Sequence, residues 1–260
     1  MYTHGHHASV LRSHRWRTAA NSAAYLLPHL RPGMSLLDVG CGPGTITADL
    51  AAQVAPGRVT GLDPAPDAVA AARAAVGDTA RIEQADLLTW AGGARFDVVH
   101  AHQVLQHVPD PVALLRAMAA RCVPGGLVAA RDASYPAMSW YPCPPELDRW
   151  RELYLGLARS DGGEPDAASR LLGWARRAGL AEVTPSASVW CFATDADRQW
   201  WGGLWADRVT ASALGHRLVE RGDATVAELA GIAAAWRRWA ADPDAWFAVL
   251  NGEILGRVPA

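Results

Sequence analysis

Asp38, Gly40, Gly42 and Gly44 alternate through a turn that follows the apolar run Ser35 to Val39 and precedes Thr45, Ile46, Leu50 and Val54 at helical spacing. Glycines in such a turn let the backbone bend sharply and approach a ligand where a Cβ would fill the space. The chemistry this predicts is recognition of a nucleotide-type cofactor. A second strand-like run, Arg58 to Leu62, ends in Asp63 and Pro64. That acid lies about twenty residues past the glycines, where a doubly wound sheet places a carboxylate that accepts hydrogen bonds from ribose hydroxyls. A third run, Ala80 to Gln84, leads to Asp86 and Leu87, and a fourth, Phe96 to Ala101, leads to His102, Gln103 and His107. Polar residues thus close a series of consecutive strands.

The series resembles the class I S-adenosylmethionine-dependent methyltransferases, in particular the small-molecule group of the ubiquinone and menaquinone C-methyltransferases. The resemblance spans roughly residues 13 to 132. Asp38 to Gly44, Gly61-Leu62-Asp63, Ala85-Asp86-Leu87, Val104-Leu105-Gln106-His107-Val108 and Val123-Pro124-Gly125-Gly126-Leu127 carry it together. Dinucleotide-binding turns place their third glycine three residues after the second; here it comes two after, so a phosphate cradle fits poorly. The resemblance implies an α/β fold with a doubly wound, mostly parallel seven-stranded sheet of the Rossmann-like methyltransferase type. It implies S-adenosylmethionine as cofactor and S-adenosylhomocysteine as product. Gly40, Gly42 and Gly44 would then serve the methionine half, with Asp38 holding either the turn or the cofactor's ammonium through water, Asp63 and Pro64 would serve the ribose, and Asp86 and Leu87 the adenine edge. His102 and Gln103 would face the methionine portion. An upstream helix closes over this end in related enzymes, which makes Arg17 the candidate for the cofactor carboxylate, since a guanidinium binds one bidentately.

The elements around these residues follow from pattern. A helical N-terminal arm is expected to about Leu30, then alternating strands and helices to Asp132, which implies a parallel sheet. Asp110 caps a helix with Pro111 at its first position, and Pro124-Gly125-Gly126 blocks its continuation. A sixth strand is expected from about Glu182 to Ala193 and a seventh from Trp246 to Leu255. Thr194 and Thr225 open helices, the second as a capping box with Glu228. The expected division is an arm over residues 1–30, a cofactor-binding core over 31–194, a helical insertion between the last two strands over 195–242, and a final core strand over 243–260.

Of the twelve tryptophans, most lie in the second half. Trp201 and Trp205 share one helix face, which suits either core packing or an apolar cover over a planar acceptor. Tyr135 and Trp140 follow the fifth strand, and with Tyr2 and His7 of the arm they complete the candidate acceptor pocket. Gly202 and Gly203 weaken the helix that carries Trp201 and would serve as a hinge. If the acceptor needs a base, His102, His107 and Tyr135 are the candidates; His107 also suits a packing role.

A net charge of −2 gives no electrostatic reason to expect nucleic acid or an anionic membrane as partner. No apolar run is long enough to span a bilayer, and the polar N-terminus lacks a signal core, so a cytoplasmic protein is expected. Cys41, Cys122, Cys143 and Cys191 are scattered without metal-ligand spacing. His4, His6 and His7 lack carboxylate or thiolate partners at such spacing, so no metal is expected. The function read from all this is methyl transfer by in-line displacement to a small, planar or apolar molecule. The alternatives are a cofactor-binding protein without turnover, or an enzyme using the same cofactor for cyclisation or decarboxylation.

Overall fold

The computed structural model describes residues 16–260. Along the chain the elements are α1 (Ala19–Ser22), β1 (Leu36–Val39), α2 (Thr45–Val54), β2 (Val59–Asp63), α3 (Pro66–Val76), β3 (Arg81–Gln84), β4 (Phe96–His102), α4 (Pro111–Ala120) and β5 (Cys122–Ala133). They continue with β6 (Ser139–Tyr141), α5 (Pro145–Ser160), α6 (Ala167–Ala178), β7 (Ala181–Phe192), α7 (Asp195–Ala211), α8 (Ala213–Glu220), α9 (Val226–Ala241) and β8 (Trp246–Arg257). The described residues form two compact units, one of 16–133, 167–188 and 251–260, the other of 134–166 and 189–250.

The first unit is built on strands in the order β3-β2-β1-β4-β5-β8, parallel except for β8, with β7 pairing β8. All four residues of β1 are buried, as a central parallel strand covered on both faces requires. Leu37, Val39 and Val99 pack on one face with Leu115 and Met118 of α4 and Trp174 of α6. Leu36 and Val98 pack on the other with Leu50 and Val54 of α2. Burying each such side chain contributes about 1.5 to 3 kcal/mol. Sequence signals place the helix starts: the Asp110 side chain accepts the Ala113 N–H at 2.9 Å, and prolines stand in the first turns of α3 and α4.

The N-terminal segment departs from the expected helical arm. Among its described residues only α1 and a 3-10 turn at Leu27–His29 are helical. Asp49 of α2 accepts the Ala19 N–H at 2.8 Å, and Leu26 and Leu30 are part of the core, so this stretch is framework. The fifth strand also begins earlier than expected: Cys122 already pairs with Phe96, and a bulge absorbs Pro124-Gly125-Gly126 before Leu127 comes level with Val98.

The second unit is mainly helical. Capping boxes at Thr194 and Thr225 open α7 and α9, and β6 pairs antiparallel with Trp246–Ala248 of β8. This short strand, which brings the sheet to eight, was not expected: a few residues between prolines carry no readable alternation. Trp150 of α5, Trp205 of α7 and Trp236 of α9 meet edge to face or stacked, at centroid separations of 4.5 to 6.2 Å, with Phe247 of β8 beside Trp150 and Trp236. Gly202 is the contact between α7 and α9; a Cβ there would lie 2.8 Å from Ala240 Cβ and from the Trp236 carbonyl oxygen. The glycine therefore permits close helix packing, and the hinge expectation is corrected. Residues 134–166 join 189–250 in this unit, so the insertion expected over 195–242 is part of a larger body.

Candidate functional site

The chain reverses its direction of travel across the sheet between β1 and β4, and in open α/β sheets ligands bind outside the carboxyl ends of the strands at such a point. The ends of β3, β2, β1 and β4 bring Asp86, Asp63, the turn Gly40 to Gly44, and His102 with Gln103 to one edge in that spatial order. Gly40, Gly42 and Gly44 hold φ of +67°, +55° and +81°, a region that side chains seldom enter. The close approach at two of them is to protein. A Cβ on Gly40 would lie 2.5 Å from Val104 Cγ2, and one on Gly44 would lie 2.8 Å from Ala72 Cα of α3. The expectation that ligand fills this space is corrected at these two positions.

Asp63 is tied to the turn directly. Its Oδ2 accepts the Gly42 N–H at 3.0 Å and its Oδ1 accepts the Ala65 N–H, across Pro64, at 2.9 Å. Asp38 lies beneath, buried, with Oδ2 accepting the Thr47 hydroxyl at 2.6 Å and Oδ1 2.8 Å from His100 Nδ1. Asp38 is sealed from solvent with both carboxylate oxygens engaged, so it braces the turn, whereas half-buried Asp63 makes its two bonds and still presents an edge to solvent. His100, opposite Asp38 in the β1–β4 register, was not picked out from sequence. The available signal was its alternation with His102 in the fourth strand. Asp86 is exposed and its Oδ1 accepts the Leu88 N–H at 2.9 Å, while the Leu87 side chain is buried. Burial pushes the Cys41 thiol far above its ordinary value, with Asp38 and Asp63 adding to the effect, which marks a packed thiol and not a nucleophile.

His102 is buried at the end of β4. Gln103 has φ +53°, donates its N–H to the Arg131 carbonyl at 2.7 Å, and reaches Asn251 Oδ1 with Nε2 at 3.4 Å. His107 is half-buried with Nε2 3.1 Å from Gln106 Nε2. Arg17 is half-buried, and its charge acts on Asp132 at the end of β5. Asp132 was another residue not singled out, although a charged pair closing the apolar strand at Arg131-Asp132 was the available signal. Tyr135, Trp140, Trp201 and Trp205 lie in the second unit, all buried: Tyr135 stacks on Tyr154 at 4.1 Å, Trp140 on Phe247 at 5.4 Å, and Trp201 on Phe192 at 4.3 Å. Trp201 also meets Trp205 edge to face at 5.9 Å. Tyr2 and His7 lie outside the described residues. Among the described residues no helix is long and apolar enough to cross a membrane.

Comparison with known proteins gives concordant results. A family model described as a methyltransferase domain matches residues 11–184. An uncharacterized methyltransferase of Schizosaccharomyces pombe is 33% identical, with 98% of this chain and 95% of the relative covered. A ubiquinone biosynthesis O-methyltransferase of a Methylobacterium species is 38% identical over 108 residues, covering 40% of this chain and 42% of its own length. Among solved structures, Haemonchus contortus phosphoethanolamine N-methyltransferase 2, in complex with phosphomonomethylethanolamine and S-adenosylhomocysteine, matches with a TM-score of 0.59 at 15% identity. The match covers 98% of this chain and 59% of that one.

Proposed function

The chain belongs to the methyltransferase family and uses S-adenosylmethionine, and from that premise we propose that it methylates a small, planar or apolar molecule at the carboxyl edge of β1 to β4. The carrying observation is the Asp63 carboxylate held against the Gly42 N–H. It couples the glycine turn to an acid of the kind that receives ribose hydroxyls. The residues at this edge suit the cofactor's parts in strand order: Asp86 and Leu87 for the adenine edge, Asp63 for the ribose, and the backbone of Gly40 to Gly44 with Gln103 for the methionine half. Arg17, a half-buried cation upstream of the turn, is assigned to the cofactor carboxylate. When bound, the cofactor supplies a methyl group made electrophilic by its sulfonium.

The protein's task is then positional. Holding a nucleophile in line at near-attack distance removes translational and rotational freedom before reaction, and such positioning is worth up to about 7 to 11 kcal/mol. An acceptor oxygen or carbon must also lose a proton. His102, buried at the end of β4, is assigned that role, with His107 as its nearest alternative in this unit. A small acceptor agrees with the nearly neutral charge and with the relative named for ubiquinone biosynthesis.

Asp63→Ala is expected to weaken binding of S-adenosylhomocysteine by about 1.5 to 3 kcal/mol, the cost of losing hydrogen bonds to a charged acceptor. Titration calorimetry measures this, and unchanged affinity would remove the cofactor from this edge. The activity itself is tested by incubation with S-adenosylmethionine and a panel of phenols, amines and enolisable carbonyls. Mass spectrometry should find a product heavier by one methyl group together with S-adenosylhomocysteine. Conversion of an acceptor to an isomer of unchanged mass, with the cofactor intact, would replace methyl transfer with cyclisation.

A further inference from the structure

Asp132 closes β5, is fully buried, and matches no motif that the proposed reaction uses. Its Oδ1 accepts the Gln106 N–H at 3.2 Å, and the Leu105 N–H is directed to the same carboxylate. Among the described residues the buried Oδ2 has no hydrogen-bond partner. A carboxylate removed from water in this way is costly, and only the hydrogen bonds and charges it meets offset that cost. What it holds is the turn between β4 and α4. That turn contains Gln103 in the left-handed region, a conformation that a non-glycine residue keeps only where its surroundings impose it. It also contains Val104, whose Cγ2 occupies the space above Gly40. Contacts therefore run from Asp132 through the Leu105 and Gln106 amides to Val104, and from Val104 to the glycine turn.

We infer that Asp132 is a positioning residue for cofactor binding: its negative charge fixes the 103–107 turn, Val104 fixes Gly40 in consequence, and discharging Asp132 loosens both. The inference rests on the cofactor lying against Gly40 to Gly44, as proposed above. Burial pushes the Asp132 carboxyl from 3.8 up to about 7, opposed by the two backbone N–H groups and by the cations of Arg131 on its own strand and Arg17 on the N-terminal segment. Tyr25, which lies within electrostatic reach, is kept neutral by its own burial. Discharge thus falls in the neutral range. An ionised carboxylate binds an N–H about twice as strongly as a neutral acceptor does, so the hold weakens as the proton arrives.

Calorimetric titration with S-adenosylhomocysteine across roughly pH 5.5 to 8.5 tests this. Affinity of the parent protein should fall about threefold to tenfold as pH drops through the Asp132 transition. Asp132→Asn should sit near the low-affinity value with a flat profile. Val104→Ala leaves Asp132 able to ionise but removes the contact over Gly40, and should also bind weakly with a flat profile. Parent affinity and parent pH dependence in either variant would overturn the inference. Asp63→Ala should bind more weakly at every pH while keeping the parent slope. Unchanged affinity there would instead overturn the seat of the cofactor, and this inference with it.

Unliganded stability gives a second readout. Because the folded pKa lies above the unfolded one, the stability Asp132 contributes is fully present below pH 3.8 and is lost as pH rises to about 7. Asp132→Asn should therefore melt above the parent protein at about pH 8, with the gap closing as pH falls towards the unfolded value. A parent more stable than Asp132→Asn at about pH 8 would mean that folding itself requires the charge, and would overturn the discharge step.

Discussion

Trp205→Ala is expected to destabilise the protein by about 3 to 5 kcal/mol, the usual range for truncating a large buried aromatic side chain. Trp205 is wholly buried and meets Trp150 at 4.5 Å, Trp201 at 5.9 Å, Tyr154 at 6.1 Å and Trp236 at 6.2 Å. Removing its indole leaves a cavity that rigid neighbours cannot fill, because ring geometry fixes how each of them sits. Chemical denaturation followed by tryptophan fluorescence and far-ultraviolet circular dichroism measures the loss. The same variant separates the two readings of the tryptophan-rich helix. A packing residue lowers the unfolding midpoint and leaves the affinity of the remaining folded protein unchanged. A variant of parental stability that no longer bound its acceptor would make Trp205 part of a pocket wall.

Glu253→Ala should cost a similar amount, about 3 to 5 kcal/mol, by a different mechanism. Arg131 and Glu253 face each other across the β5–β8 pairing, with the Arg131 Nε 3.2 Å from Glu253 Oε1 and both side chains nearly excluded from water. Ser186 donates its hydroxyl to Glu253 Oε2 at 2.7 Å, and Arg131 also donates to Ser188 Oγ. Burial lowers the Arg131 pKa, and the Glu253 charge is the principal force holding it up. Without that carboxylate the buried guanidinium loses its hydrogen-bonded countercharge. Replacing both partners with apolar residues, as in Arg131→Met with Glu253→Leu, should lose much less, because the pair's attraction mainly offsets its own desolvation. Equal losses in the single and double variants, measured by denaturant titration, would contradict this account.

The part of the site made of backbone and spacing was readable from sequence. The glycine turn, Asp63 at the end of β2 and Asp86 after β3 depend on local rules: where an apolar run stops, and which residues permit positive φ. Asp38 was legible as a residue that holds the turn or the cofactor's ammonium, but its partner His100 was not, because it comes from a strand distant in sequence and the two meet only through the β1–β4 register. Asp132 was hidden for a related reason. A charge at the end of an apolar strand is ordinarily solvated, and only the packing of the Leu105–His107 turn buries this one. Helical periodicity located Trp201 and Trp205 on one face of α7, but a period of 3.6 residues reports which face is apolar and not what covers it. Gly202 carries the same lesson. Propensity speaks only to how it affects its own helix, whereas its closeness to Ala240 is a tertiary fact.

Strand β8 has a consequence in time as well as in space. Its first residues belong with the tryptophan-rich unit, where Phe247 lies among Trp140, Trp150, Trp236 and Trp239, and its later residues carry Glu253 to Arg131. Chains emerge from the ribosome at about 5 to 20 residues per second, and their earlier parts begin to fold first. Here both units must wait for the same segment. Until it arrives, the nascent protein exposes aromatic surface in one unit and lacks the Glu253 partner of Arg131 in the other. A chaperone that shields apolar segments should therefore hold the nascent chain from the emergence of α9 until residue 257 has cleared the exit tunnel.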